Sequence, residues 1–146
     1  MSDSGWKSPG TVVDDAAVGT VAWTNPDNAK ASDDSIAEYY PGSMGEPTLK
    51  LIKLVIGGSV VGNSKSNNET LHDDELHDFG GSTDTWGNTL SVSDINSSSF
   101  GVVLQGEEIW INLNESHYLK ATNFGFSVPS GATIDGVIVQ VEGCLS

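Results

Sequence analysis

Two segments near the C-terminal end of the chain alternate between apolar and polar residues, and they limit the fold more than any other feature of the sequence. The segments are Lys120–Val128 and Thr133–Glu142. Successive side chains of a strand point to opposite sides, so each pattern predicts a strand with one buried face. Pro129 and Gly131 lie between the two segments and predict a reversal of the chain, either a hairpin or a corner between sheets. The apolar positions of the predicted buried faces are Phe124, Phe126, Val128, Val137, Val139 and Val141.

The rest of the chain has the same character. Its 146 residues include 17 glycines, and turn-forming residues separate short runs rich in valine, isoleucine, threonine and aromatic residues. This spacing predicts an all-β fold, an antiparallel β-sandwich of jelly-roll type with about eight to ten strands and little helix. The other predicted strands are Thr11–Val13, Val18–Thr24, Leu49–Ile56, Val60–Val61, Trp86–Leu90, Phe100–Gln105 and Glu107–Leu113.

Short motifs predict where several of these elements begin and end. Gly57–Gly58 separates two apolar runs and predicts a hairpin. Asn25–Pro26 predicts the start of a turn. Ser91–Asp94 has the spacing of a capping box, which predicts a single turn of helix. Asn63–Asp78 is polar and predicts a long loop.

The domain organisation follows from length and from the N-terminal composition. A chain of 146 residues is long enough for one domain with its own core. We expect an extended arm over residues 1–10 and one β-sandwich domain over residues 11–146. Trp6 is the one large apolar residue between Ser2 and Pro9 of the arm. It is a candidate anchor for a neighbouring subunit, and packing on its own domain is the alternative.

Charge restricts the partners. Six lysines and arginines stand against 20 aspartates and glutamates, which gives a formal net charge of −14. Such a chain repels phosphate backbones and anionic lipids, so we expect it to bind neither nucleic acid nor membranes. The N-terminal sequence has no basic segment followed by an apolar one. We therefore expect no signal peptide, and synthesis in a host cytoplasm.

No set of residues has the spacing of a catalytic or metal site. The run around His72 and His77 lacks the spacing of a zinc-binding helix and of a calcium-binding loop. We expect no cofactor and no enzymatic activity, because no nucleophile, base or phosphate-binding motif is evident. The alternative for this run is a Ca²⁺ ion held by carboxylates among Asp73, Asp74, Glu75 and Asp78.

Tryptophans provide the second hypothesis about function. Exposed aromatic side chains on a β-sandwich can stack on sugar rings, so Trp86 and Trp110 are candidate ligand-stacking residues. Packing in the core or at a subunit interface explains both equally well. A carbohydrate-binding module that recognises a surface glycan is therefore the alternative function.

Several separated stretches resemble a family of β-rich structural domains in tailed-bacteriophage and metagenomic viral sequences. The resemblance implies a jelly-roll-like virion domain, on a capsid surface or in a tail or fibre, that acts by assembly. It implies a homo-oligomer located in the virion, with other virion proteins as partners, and it brings no catalytic residues. The matching stretches are Ser8–Asp15, Val21–Asp34, Gly57–Lys65, Gly80–Gln105 and Tyr118–Glu142.

The order of these stretches differs from that of the family. The stretch Tyr118–Glu142 directly follows Val21–Asp34 in the family's order, whereas here it comes last. The connector Tyr40–Pro47 occupies its place. The rearrangement resembles a circular permutation, which changes the connectivity of a sandwich but not its architecture.

Overall fold

A computed structural model describes residues 5–30, 37–38, 47–66, 75–108 and 115–143 of the chain. These residues form seven strands, one short α-helix and one 3₁₀ helix, at Pro26–Lys30. The strands and the α-helix are β1 (Thr11–Asp15), β2 (Pro47–Ile56), β3 (Ser59–Val61), β4 (Glu75–Gly81), α1 (Val92–Asn96), β5 (Gly101–Glu108), β6 (Tyr118–Thr122) and β7 (Val137–Gly143).

The strands form two sheets, and every pair of neighbouring strands is antiparallel. The larger sheet has the order β1-β6-β5-β2-β3, and the smaller sheet consists of β4 and β7. The prediction of an all-β fold is therefore confirmed at the level of mostly β structure with antiparallel sheets. The sequence predicts about eight to ten strands. Some of the predicted strands lie in segments outside the described ranges, so the full strand count stays a prediction.

Both sheets contribute side chains to one hydrophobic cluster. Ile52 and Leu54 of β2 are almost fully buried in it, and Phe79 of β4 is buried with them. Burial of apolar surface is the main favourable contribution to folding, so this cluster joins the two sheets. The buried members are Leu49, Ile52, Leu54, Phe79, Trp86, Ile95, Phe100 and Val102.

The local motifs are confirmed where turn chemistry decides the structure. Gly57 and Gly58 connect β2 to β3 with φ angles of 60° and 83°. Two positive φ values in a two-residue hairpin are the reason that glycine is favoured there. Ser91 accepts a hydrogen bond from the Asp94 N–H, and Asp94 accepts one from the Ser91 N–H. This capping box begins α1.

The alternating C-terminal segments are confirmed in burial but only in part as strands. Val137–Gly143 is a strand, whereas β6 ends at Thr122 and residues 123–136 form no strand. Asn123 and Gly125 have φ angles of 60° and 73°, which interrupt an extended ladder. The apolar residues that follow Thr122, Phe124 and Phe126 among them, still pack against the core.

The reversal at Pro129 leads from one sheet to the other. Ala132 donates its backbone N–H to the Pro129 carbonyl at 3.0 Å, which closes a turn. The flanking strands β6 and β7 belong to different sheets. Of the two arrangements that the sequence left open, the corner between sheets is therefore the observed one.

Three local predictions are wrong. Val18–Thr24 forms isolated bridges, such as Val21 with Ser116, in place of a strand. Trp86–Leu90 begins with a turn, because Trp86 itself has a φ angle of 58°. The predicted loop Asn63–Asp78 contains the first residues of β4.

Beyond residue 108 the predicted strand Glu107–Leu113 lies outside the described residues. Among the described residues, no helix is long and apolar enough to cross a membrane.

Candidate functional site

One polar cluster in the described residues joins three segments that are distant in sequence. Asp14, at the end of β1, lies with one carboxylate oxygen 2.9 Å from His117 Nδ1. Its other oxygen accepts the Trp23 backbone N–H at 2.8 Å. The Trp23 indole Nε1–H in turn donates to the His117 carbonyl at 2.8 Å. We call Asp14, Trp23 and His117 the polar clamp.

A sharp turn at Gly19 brings the Trp23 segment to this position. Gly19 has a φ angle of 68°, and a Cβ atom there would lie less than 3.0 Å from backbone atoms of Ser116. The close approach lets the N–H groups of Thr20 and Val21 donate to the Glu115 carbonyl at 2.9 and 3.1 Å. Glycine is needed at this point both for its backbone conformation and for the absence of a side chain.

The polar clamp contains two of the three residue types of a hydrolytic triad, an aspartate and a histidine. The Asp14–His117 pair has the geometry that orients a histidine as a general base. The neighbouring Ser116 is fully buried. Its hydroxyl donates to the His117 carbonyl at 2.7 Å and accepts the Gly106 N–H at 2.9 Å, so it is held away from the imidazole. The hydrogen bonds of the polar clamp hold three segments of the chain together.

Removal of the Asp14 carboxylate tests this structural role. Asp14→Ala leaves the Trp23 N–H and the His117 ring without their partner, so we expect a loss of about 1–3 kcal/mol in the free energy of unfolding. Urea denaturation followed by circular dichroism measures it. Asp27→Ala is the matched control, because Asp27 pairs with Lys30 at an exposed site and surface pairs contribute only about 0–1 kcal/mol. Equal losses in both variants would contradict the clamp.

Trp86 occupies a site where no ligand can stack on it. Its side chain is 0% exposed, and its Nε1–H donates to the Val137 carbonyl at 2.9 Å. Of the two roles that the sequence left open for Trp86, ligand stacking and packing in the core or at an interface, this burial favours packing in the core. Trp110, the other predicted stacking residue, lies outside the described residues.

An ion pair secures the turn that carries Trp86. Lys65 Nζ lies 2.8 Å from Asp84 and 5.9 Å from the centroid of the Trp86 ring. The other Asp84 oxygen accepts the Trp86 backbone N–H at 2.8 Å. The hydrogen bonds from Lys65 and then from Trp86 lower the pKa of Asp84 below its ordinary value of 3.8. The stabilisation that the ionised Asp84 carboxylate provides is complete above pH 3.8, the pKa expected in the unfolded chain. It is lost as the pH falls through the lowered pKa of the folded chain.

The predicted calcium ligands are only partly within the described residues. Asp73 and Asp74 lie outside them, and of Glu75 only the backbone is described. Asp78 is exposed on β4 and accepts a hydrogen bond from Gln140 at 3.0 Å. Among the side chains that the structure describes, no group of three or more histidine, cysteine or acidic residues is placed to hold a metal ion.

The arm presents its tryptophan to solvent. Trp6 is 65% exposed, the largest exposed fraction among the described large hydrophobic side chains. Gly10 fixes the end of the arm, since its N–H donates to the Asn123 carbonyl at 2.8 Å. A side chain at Gly10 would collide with Asn123. The arm therefore leaves the domain from a defined point next to β1.

Sequence reasoning missed the polar clamp entirely. Asp14 and His117 are 103 positions apart, and no local pattern links them. The paired acids Asp14 and Asp15 have the appearance of a surface turn. The one usable signal is Gly19, whose place in an otherwise strand-like run indicates a close backbone approach.

Comparison of the chain with protein-family models, with curated proteins and with solved structures found no match in any of the three.

Proposed function

We propose that this chain is a structural protein of a phage-type virion, a capsid-decorating protein or a component of a fibre or tail, and that it acts by assembling with copies of itself and with other virion proteins. The two sheets would form a jelly-roll-like sandwich. The observation that carries the proposal is the exposed Trp6 on an arm that is fixed at Gly10. The sequence resemblance to virion domains supports the setting.

An exposed tryptophan on an arm suits assembly because its ring can bury a large apolar area when it binds. Aromatic side chains bury about 150–250 Å² each and contribute strongly to interfaces. Trp6 leaves most of its surface in water within its own chain. A short arm with a fixed origin loses less conformational freedom on docking than a free tail does, so more of the binding energy is retained.

The charge of the chain sets the conditions for assembly. A formal net charge of −14 makes copies repel one another at a distance, so contacts between them must be specific. Salt screens such repulsion over about 8–10 Å at ionic strengths near 0.1–0.15 M. Assembly through an apolar anchor is therefore expected to strengthen, rather than weaken, between low and moderate salt.

Substitution of the anchor tests the proposal. Trp6→Ala is expected to weaken self-association by at least about ten-fold, because interface tryptophans are typical binding hot spots. Sedimentation velocity over a dilution series measures the change. Ser8→Ala is the matched control in the same arm and is expected to assemble as the unaltered chain does.

The fold must be intact for this comparison to have meaning. The circular dichroism spectrum of Trp6→Ala is expected to equal that of the unaltered chain. Its thermal midpoint is expected to equal that of the unaltered chain at dilutions where both are monomeric, since association itself raises the midpoint. If Trp6→Ala associates as strongly as the unaltered chain, assembly through the arm is contradicted. Loss of the domain's thermal transition would instead assign Trp6 to packing within its own chain.

A further inference from the structure

One face of the smaller sheet is open to solvent. Residues 76, 78, 138, 140 and 142 are all exposed, whereas Phe79 and Val139, at the intervening positions, pack on the core. The five exposed residues form what we call the outer face of β4 and β7. Cross-strand pairing places Leu76 opposite Glu142, Asp78 opposite Gln140, and Ile138 opposite Gly80.

The outer face combines apolar surface with negative charge. Leu76 is 58% exposed and Ile138 is 41% exposed. Gly80, opposite Ile138, has no side chain that could cover the isoleucine across the ladder. Asp78 lies in the adjacent row of the ladder, where diagonal neighbours are about 7–8 Å apart. An apolar group next to a cation would complement this pattern.

The arm carries that combination. Trp6 is followed directly by Lys7, and both are exposed. Lys7 is one of only six basic residues in the chain. Four of the other lysines, Lys30, Lys50, Lys65 and Lys120, are paired with carboxylates of their own chain. Lys7 makes no ion pair in the described part of the chain, so its charge is available to a partner.

The other exposed apolar strand residue fits the arm less well. Val13 of β1 is 40% exposed, but its direct cross-strand partner is Lys120. Lys120 forms an ion pair with Asp15, which leaves little net charge beside Val13, whereas the acidic residues of the outer face attract Lys7.

We propose that the arm of one copy docks on the outer face of a second copy, with Trp6 over Ile138. Lys7 then lies toward Asp78. This inference rests on the proposed assembly function and names the surface that the arm binds. Trp6 remains exposed within its own chain, so the acceptor belongs to another copy. Two different surfaces meet, so the contact is heterologous and generates a ring or a filament.

Complementation between two full-length variants provides the test. Trp6→Ala removes the anchor and keeps the outer face. The double variant Leu76→Thr/Ile138→Thr removes the apolar surface and keeps the arm, and threonine preserves strand propensity. We expect each variant alone to lose association by at least about ten-fold. An equimolar mixture is expected to form dimers that grow no further, because it supplies one intact arm to one intact face.

Val13→Thr is the control, matched to Ile138 in exposure. It is expected to assemble within about two-fold of the unaltered chain, since surface substitutions away from an interface change free energies little. Light scattering and thermal midpoints are measured for all variants. Normal association of the Leu76/Ile138 variant, with loss in Trp6→Ala, would overturn the outer face as the acceptor and leave assembly through the arm standing. A monomeric unaltered chain would overturn both.

A charge exchange tests the orientation of the arm. Lys7→Glu and Asp78→Lys are each expected to weaken association several-fold, because each places like charges opposite one another. The double variant Lys7→Glu/Asp78→Lys is expected to recover most of the loss. Losses that simply add would show that the two side chains do not meet, and would overturn the placement of Lys7.

Discussion

Replacement of Trp86 by alanine is expected to lower the free energy of unfolding by about 3–5 kcal/mol. The indole is 0% exposed within a core cluster that both sheets share, so its removal leaves a cavity. It also deletes the hydrogen bond to the Val137 carbonyl at the start of β7. Domains of this size are stable by about 5–15 kcal/mol, so the variant is expected to be marginal at body temperature. Urea denaturation followed by circular dichroism measures the loss.

Trp86→Phe separates the cavity from the hydrogen bond. Phenylalanine keeps much of the ring volume but leaves the Val137 carbonyl without its donor, and we expect a loss of about 1–3 kcal/mol. The positive φ angle is common to the three residues compared, so backbone strain cancels. A loss below about 1 kcal/mol in Trp86→Ala would contradict the buried position, since exposed substitutions have effects of that order or less.

Introduction of a single methyl group at Gly101 is the second change with a large expected effect. A Cβ atom there would lie less than 3.0 Å from the Ala121 carbonyl oxygen and 2.8 Å from Thr122 Cγ2. Gly101 begins β5, and its partner in the ladder is Thr122 of β6. Neither backbone can shift without breaking the pairing at the centre of the larger sheet. We expect Gly101→Ala to cost about 3 kcal/mol, the upper end of the range for overpacking.

Gly131→Ala is the matched control for this prediction. Gly131 lies in the exposed turn after Pro129, and a Cβ atom there would meet no heavy atom within 4 Å. Alanine at such a site reduces the freedom of the unfolded chain, so a small gain of about 0.4–1 kcal/mol is expected. Denaturation midpoints of the two variants, measured side by side, are expected to move in opposite directions. Equal stability of Gly101→Ala and the unaltered chain would contradict the β5–β6 pairing.

Sequence predicted the parts of the fold that local chemistry determines. The Gly57–Gly58 hairpin depends on backbone freedom at two adjacent residues, and the capping box at Ser91 on hydrogen bonds within four residues. Both are therefore visible in the sequence. The strand at the C-terminal end was predicted for the same reason, because the alternation of its valines matches the pleat of one strand.

Tertiary contacts decided the parts that sequence did not predict. Trp86–Leu90 has strand-forming residues, but it begins with a turn. The Trp86 indole donates to the Val137 carbonyl of β7, and the Trp86 backbone N–H donates to the Asp84 carboxylate. The first residues of β4 appeared to be an acidic loop. They form a strand because Phe79 and the valines of β7 together cover the core. Long-range pairing of this kind leaves no trace in a local window.

The candidate interaction sites likewise divide into one that the local sequence indicates and one that only tertiary contacts create. Trp6 was identified from its isolation in a polar arm, and its exposure agrees with a role as an anchor without establishing one. The outer face of β4 and β7 had no signal in the sequence, because its two apolar residues, Leu76 and Ile138, become neighbours only through strand pairing. The virion setting depends on the sequence resemblance and stays a prediction.

The molar mass of the unaltered chain in solution tests the central claim of self-assembly most directly. Size-exclusion chromatography with light scattering at high micromolar concentration and moderate salt measures it. Assembly through the arm predicts a mass that is a multiple of the 15.3 kDa chain and that falls on dilution. A constant mass of one chain over the whole concentration range would contradict the proposed function.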